Sequence, residues 1–232
     1  MPATEDLFTP IHKAIRSMIY DVGGRLQTND FADLAASKPL LADLEHEFTA
    51  ALSSGCILCL LHGHASDEET QVFPSVSKNA ATLVQGFIDD HHALTRRLET
   101  ITKIARELPS KERAGERVQL GISLNQMVNG FFAAYIDHMN REEEKLVPLM
   151  RERFTDDQMR AMRGAIMGAM PRDRLASVLR WMLPSLNVGE LTEVLMGAKA
   201  TSPPPVLQFI CGVAAEHVDS QRWQIVKERV GI

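Results

Sequence analysis

Almost nowhere does this chain alternate apolar and polar residues with the period of a β-strand. Leu, Ala, Met, Glu and Arg recur instead at helical spacing. That pattern predicts an all-α protein. Four long amphipathic segments fill the first two-thirds: A over 5–26, ending at Gly23-Gly24 or just beyond; B over 40–74; C from about 80 to just before Pro109; D over 111–153. Connections of this length suit an up-down-up-down four-helix bundle. Beyond residue 153 the texture changes to shorter helical pieces, over 156–170, 173–183, 188–199 and 206–230. Pro171, Pro184 and Pro203-Pro204-Pro205 punctuate them, because proline interrupts helix interiors. The expected organisation is a bundle over 1–153 and a C-terminal helical extension over 154–232.

Composition narrows the function classes. With 232 residues, 45% hydrophobic and 24% charged, the chain can bury a core without disulfide staples. A net charge of −5 argues against nucleic acid as a partner. Three cysteines, an odd number, make no disulfide framework. The start MPATEDLFTP has neither a basic nor an apolar leader region. The longest uninterrupted apolar stretch, 56–61, is far short of a membrane span. The expectation is a cytoplasmic protein with no nucleic-acid and no membrane partner.

Against that background 8 histidines stand out. His64-Ala-Ser-Asp-Glu68 is followed six residues on by Pro74, and His138-Met-Asn-Arg-Glu142 six residues on by Pro148. Each is an H-x-x-x-E, whose i,i+4 spacing stacks imidazole and carboxylate on one helical face. Each follows a lone histidine on the preceding segment, His12 by 52 residues and His91 by 47. His92 is the alternative to His91. In an up-down bundle the starts of A and C share one end with the finishes of B and D. All four histidines then lie at a common depth, about 15 Å from that end. Four neutral imidazoles and two carboxylates form an N4O2 donor set suited to Fe, Mn or Zn, and each carboxylate has the reach to bridge two ions.

On these motifs the chain resembles the hemerythrin-like, or HHE cation-binding, family over roughly residues 8–151. The resemblance implies a four-helix bundle holding a non-haem di-iron centre, two Fe ions bridged by oxide or hydroxide. It implies His12, His64, Glu68, His91, His138 and Glu142 as metal ligands, with Glu68 and Glu142 bridging. One departure bears on function. The oxygen-carrying members place a second histidine one turn after the first on the third helix, where this chain has Thr95. One metal is therefore expected to be less saturated than the other. That favours sensing or detoxification of O2, NO or peroxide, or iron handling, over simple oxygen carriage. The alternative is a non-enzymatic, iron-responsive regulator whose metal site acts as a stability switch.

Other residues receive lesser roles. Tyr135, three before His138, is the candidate for a hydroxyl within reach of a bound oxygen species or a neighbouring polar group, and Tyr20 a weaker one. Ile15, Ile19, Ile57, Leu60, Leu61, Phe131 and Ala134 are expected to line a dry pocket. Arg16 reads as a rim charge, His46 and His217 as surface groups, and His62, which points to another face than His64, as a surface group or one supporting the ligands from behind. Cys56-Ile57-Leu58-Cys59 reads as two buried core thiols rather than a redox pair. The tail, with Trp181-Met182-Leu183-Pro184 and Trp223, is similar to the helical extension that follows some bacterial members of the family. It is expected to cover the bundle, or to form a homodimer or partner interface.

Overall fold

The structure is a computed structural model, described over residues 5–44 and 57–232, with the side chains of 57–59 outside the description. Among the described residues it is all-helical. The helices are α1 (Thr9–Thr28), α2 (Leu34–Leu44), α3 (Ile57–Asp67), α4 (Phe73–Glu107), α5 (Ala114–Arg153), α6 (Asp156–Ala169), α7 (Arg172–Ser185), α8 (Val188–Thr201), α9 (Pro204–His217) and α10 (Ser220–Val230). A π-helical turn, Glu68–Val72, joins α3 to α4. Among the described residues no helix is long and apolar enough to cross a membrane.

Local chemistry explains where the helices begin. Asp6 accepts hydrogen bonds from the Phe8 and Thr9 amides, and Pro10 stands in the first turn, so α1 starts at Thr9 rather than Glu5. The helix runs through Gly23-Gly24 to Thr28. Asp33 caps α2 through the Ala35 and Ala36 amides. Segment B therefore begins before Pro39, which lies inside α2. The largest departure lies between B and C. Pro74 was expected to close a helix, but it sits in the first turn of α4, where its missing N–H leaves no bond unmade. The helical path continues to Ala80, whose dihedrals (φ −146°, ψ 43°) make the actual kink. The last predicted piece, 206–230, is two helices, because Val218 is extended and Asp219 caps α10.

Buried side chains recur at helical spacing. On α4 they include Val84, Phe87, His91, Leu94, Leu98, Ile101 and Ala105; on α5, Leu124, Val128, Phe131, Tyr135, His138, Glu142, Leu146 and Met150. Two apolar clusters result. The larger holds Ile15, Met18, Leu61, Leu98, Phe131 and Tyr135 among others. The smaller holds Phe8, Phe73, Phe87, Leu146 and Met150. Close approach of Phe31 to α5 requires Gly121, where a Cβ would lie 2.2 Å from the ring. A third cluster, around Leu183, Leu191, Ile210 and Val226, belongs to α7–α10. Helix α7 also packs along α1 and against α3, and its Val178 is part of the larger cluster.

Candidate metal centre

Between the first two clusters lies one polar layer. It contains His12, His64, Glu68, His91, His138 and Glu142, each 0–5% exposed. Six such groups in an apolar interior need a partner. The two carboxylates face each other across the layer, and each spans two histidines. Glu142 places Oε2 3.4 Å from His12 Nε2 and Oε1 3.3 Å from His138 Nε2. Glu68 places Oε1 3.2 Å from His64 Nε2 and Oε2 3.3 Å from His91 Nε2. Two four-membered groups follow: His12, His64, Glu68 and Glu142; and Glu68, His91, His138 and Glu142.

Hydrogen bonding decides which ring nitrogens are free. His12 Nδ1 lies 2.8 Å from Glu143 Oε1, and His91 Nδ1 2.8 Å from Glu69 Oε1. His138 Nδ1 lies 3.4 Å from Asp90 Oδ2. An ionised carboxylate only accepts, so each Nδ1 carries the proton and donates it. In the neutral ring each Nε2 is then left with a lone pair aimed into the layer. His91 Nε2 and His138 Nε2 are 3.0 Å apart. Two lone pairs repel at that distance, but about 3.0 Å is also the separation of two nitrogens bound at right angles to one ion at about 2.1 Å. The buried atoms without a hydrogen-bond partner include His12 Nε2, His64 Nε2 and all four oxygens of Glu68 and Glu142. The donors present therefore fit a pair of cations.

Ionisation follows from this packing. Burial pushes the Glu68 carboxyl well up, and the Glu142 charge adds to the effect. Burial would raise Glu142 as well, but His12 and His138 together hold it below the ordinary range. Burial keeps His64 well below 6.5 and His91 below it, so both offer lone pairs at neutral pH. Burial also acts to lower His12, but Glu142 and Glu143 outweigh it and hold this histidine above 6.5. A cation binding there displaces a proton. Glu143 itself is held down to about 2, against its own burial, by His12 and by Arg16.

The structure separates the alternatives left by the sequence. His91 is buried in the layer and His92 is exposed. Tyr20 is 65% exposed, so it is no part of the site. The Tyr135 hydroxyl donates to the Leu61 carbonyl at 3.1 Å, which commits its proton to the backbone. Burial, with Glu68 and Glu142 nearby, pushes this phenol well up and keeps it protonated. Arg16 is a partner of Glu143 and Asn140 rather than a plain rim charge. His62 and His217 are half-buried, outside the layer. Ile15, Ile19, Leu60, Leu61 and Phe131 are buried and Ala134 half-buried. His46, Cys56 and the side chains of Ile57 and Cys59 lie outside the described residues. Among the described residues each group supplies two nitrogens and two carboxylate oxygens, so these donors do not by themselves make the two positions unequal.

Sequence reasoning missed Glu69, Asp90 and Glu143, which hold the histidines. Part of the signal was present. Each H-x-x-x-E ends in a doublet, Glu68-Glu69 and Glu142-Glu143. In both, the first glutamate turns into the layer and the second reaches the histidine of another helix, His91 or His12. No curated protein and no solved structure matches the chain. The sequence model of the hemerythrin HHE cation binding domain matches residues 5–150. With that match and a buried His/Glu layer able to hold cations, this chain belongs to the hemerythrin HHE cation-binding family.

Proposed function

We propose that the chain is a non-haem di-iron protein that binds a small oxidant, O2, NO or peroxide, in sensing, detoxification or iron handling. His12, His64, His91 and His138 act as terminal ligands, and Glu68 and Glu142 as bridges. The observation that carries this reading is the set of unpartnered carboxylate oxygens, one of each glutamate turned to each histidine pair. Two divalent ions would more than offset the two buried carboxylates. When bound, the ions supply open coordination positions and electrons for a small ligand. The chain contributes fewer donors per ion than an octahedral ion takes.

The surrounding residues do the rest. Phe8, Phe73 and Phe87 pack on His12, His91 and His138, with ring centroids 5.5–5.7 Å apart, and keep water from that side. Leu61, Phe131 and Tyr135 close the other side. Glu69, Asp90 and Glu143 fix the imidazole tautomers and make the rings better donors.

The same reading takes 1–153 as an up-down-up-down bundle and 154–232 as a separate helical extension. Chain direction supports the bundle. Along α1 and α4 the chain passes from the Phe8/Phe87 cluster through the polar layer to the Ile15/Leu98 cluster. Along α3 and α5 it passes the opposite way. The iron-responsive regulator is the second reading. It is favoured by the cost of burying Glu68 and Glu142 without an ion, which makes the fold itself depend on metal.

The test is anaerobic loading with Fe2+, followed by optical spectra before and after O2, NO or peroxide. Uptake of two Fe per chain and a ferric charge-transfer band after oxidant are expected. Stoichiometric Zn2+ in the isolated protein, with no spectral response to any of the three, would refute the oxidant-binding reading. Metal-dependent folding without a spectral response would favour the regulator.

A further inference from the structure

The metal layer of this protein is not supported equally on its two sides. The His91/His138 side is braced from within α3–α5 and the turn between them, by Glu69 on His91, Asp90 on His138 and Arg141 on Asp90. On the His12/His64 side Glu143 of α5 holds His12, and this side also faces the C-terminal extension. Helix α7 lies along α1, which carries His12, and against α3, which carries His64. Two ion pairs from the extension land one residue away from a proposed ligand. Glu190, at the capped start of α8, pairs with Lys13, next to His12. Arg174, on α7, pairs with Asp67, next to Glu68.

The second pair is built into the interior. Arg174 is 6% exposed, and both of its terminal nitrogens donate to Asp67, Nη1 to Oδ1 at 3.1 Å and Nη2 to Oδ2. A planar fork on a carboxylate fixes orientation as well as distance. Space for it depends on Gly63. A Cβ there would lie 2.7–2.9 Å from the guanidinium. Glycine inside a helix costs about 1 kcal/mol relative to alanine, so its position between His62 and His64 has a use. Asp67 is also the last residue before the π-helical turn. In that turn the Phe73 amide reaches back to the Glu68 carbonyl. The Glu68 backbone is thus held from two directions, by the wide turn after it and by the Asp67–Arg174 fork before it.

We propose that the extension completes one of the two metal positions. Arg174 is a positioning residue that acts through Asp67, and through its close fit over Gly63, to hold α3 and with it His64 in register with α1. Tight occupancy of the His12/His64 position therefore depends on a docked α7, whereas the His91/His138 position does not. By linkage, metal at the first position favours the docked extension by the same factor. This inference rests on the metal-centre reading above.

The test uses the full chain and Co2+ as the probe, titrated anaerobically and followed by d–d absorption and by metal content after gel filtration. Wild type is expected to hold two Co2+. In Arg174→Met one equivalent should weaken 10- to 100-fold, the usual effect of losing an outer-shell partner. The other should stay within threefold, with its absorption bands unchanged. Arg174→Lys, which keeps the charge without the fork, should fall between. Gly63→Ala displaces the guanidinium, alters no charge and improves helix propensity, so it decides the matter if Arg174→Met does not fold. Hydrogen exchange over residues 172–185 should slow on Co2+ loading in wild type, and not in Gly63→Ala. Two wild-type-like equivalents in both variants, or equal weakening of both positions, would overturn the inference and leave the metal centre standing. A wild type that takes up no Co2+ would overturn the metal centre, and this inference with it.

Discussion

Glu68→Gln should change the sign of its effect on stability when metal is added. Glu68 is 3% exposed and neither oxygen has a hydrogen-bond partner, so without an ion its charge is poorly compensated. Its carboxyl is held above 4.5 by burial and by Glu142. The folded state therefore binds its proton more tightly than the unfolded state, and this group costs stability as pH rises from 4.5 through the folded value. Glutamine keeps the shape and removes the charge. Exchanging a poorly compensated buried charge for a neutral group is worth about 2 kcal/mol, or about 4–8 °C in Tm at this chain length. With metal the balance reverses. At a thousandfold excess over Kd, each bound ion stabilises the wild type by about 4 kcal/mol, and the variant lacks an oxygen donor to both ions. Thermal unfolding at pH 7, in chelator and with saturating Fe2+ under argon, measures both. The variant should melt above wild type in chelator and below it with metal, and its advantage in chelator should shrink as pH falls toward 4.5. A variant that melts below wild type in chelator, with an undiminished rise on metal addition, would refute the reasoning.

Further expectations follow from the same geometry. Glu143→Gln and Glu69→Gln remove the acceptors of His12 and His91, and each should weaken metal affinity 10- to 100-fold in a competition titration. Because His12 holds its proton above 6.5, metal uptake at pH 7 should release a proton, read by calorimetry in buffers of different ionisation enthalpy. Affinity should fall as pH drops through the His12 value, which lies above 6.5, since the protonated imidazole has no free lone pair. Glu143, held to about 2, stays ionised across that range and adds nothing to the change. Tyr135→Phe loses the hydrogen bond to Leu61. It should cost about 1 kcal/mol in denaturant unfolding and leave metal content and spectrum unchanged.

The six buried groups of the layer were legible because the sequence states their geometry twice. An H-x-x-x-E can only stack on one helical face, and two of them, each preceded by a lone histidine, reach a common depth only if helices alternate in direction. The residues behind them were half legible. The doublets Glu68-Glu69 and Glu142-Glu143 were visible, but which histidine each second glutamate would meet depends on helix packing. Proline 74 misled because the same missing N–H that ends a helix is harmless in the first turn of the next. Arg174 was hidden altogether. Its partner Asp67 is 107 residues away, and the only local trace was a glycine between two histidines.

Anomalous diffraction from crystals of the iron-loaded protein tests the central claim most directly. Two peaks per chain should appear about 3.5–4 Å apart. One should lie among His12, His64, Glu68 and Glu142, and the other among His91, His138, Glu68 and Glu142. A single peak in the layer, or iron bound elsewhere with the layer empty, would contradict the account.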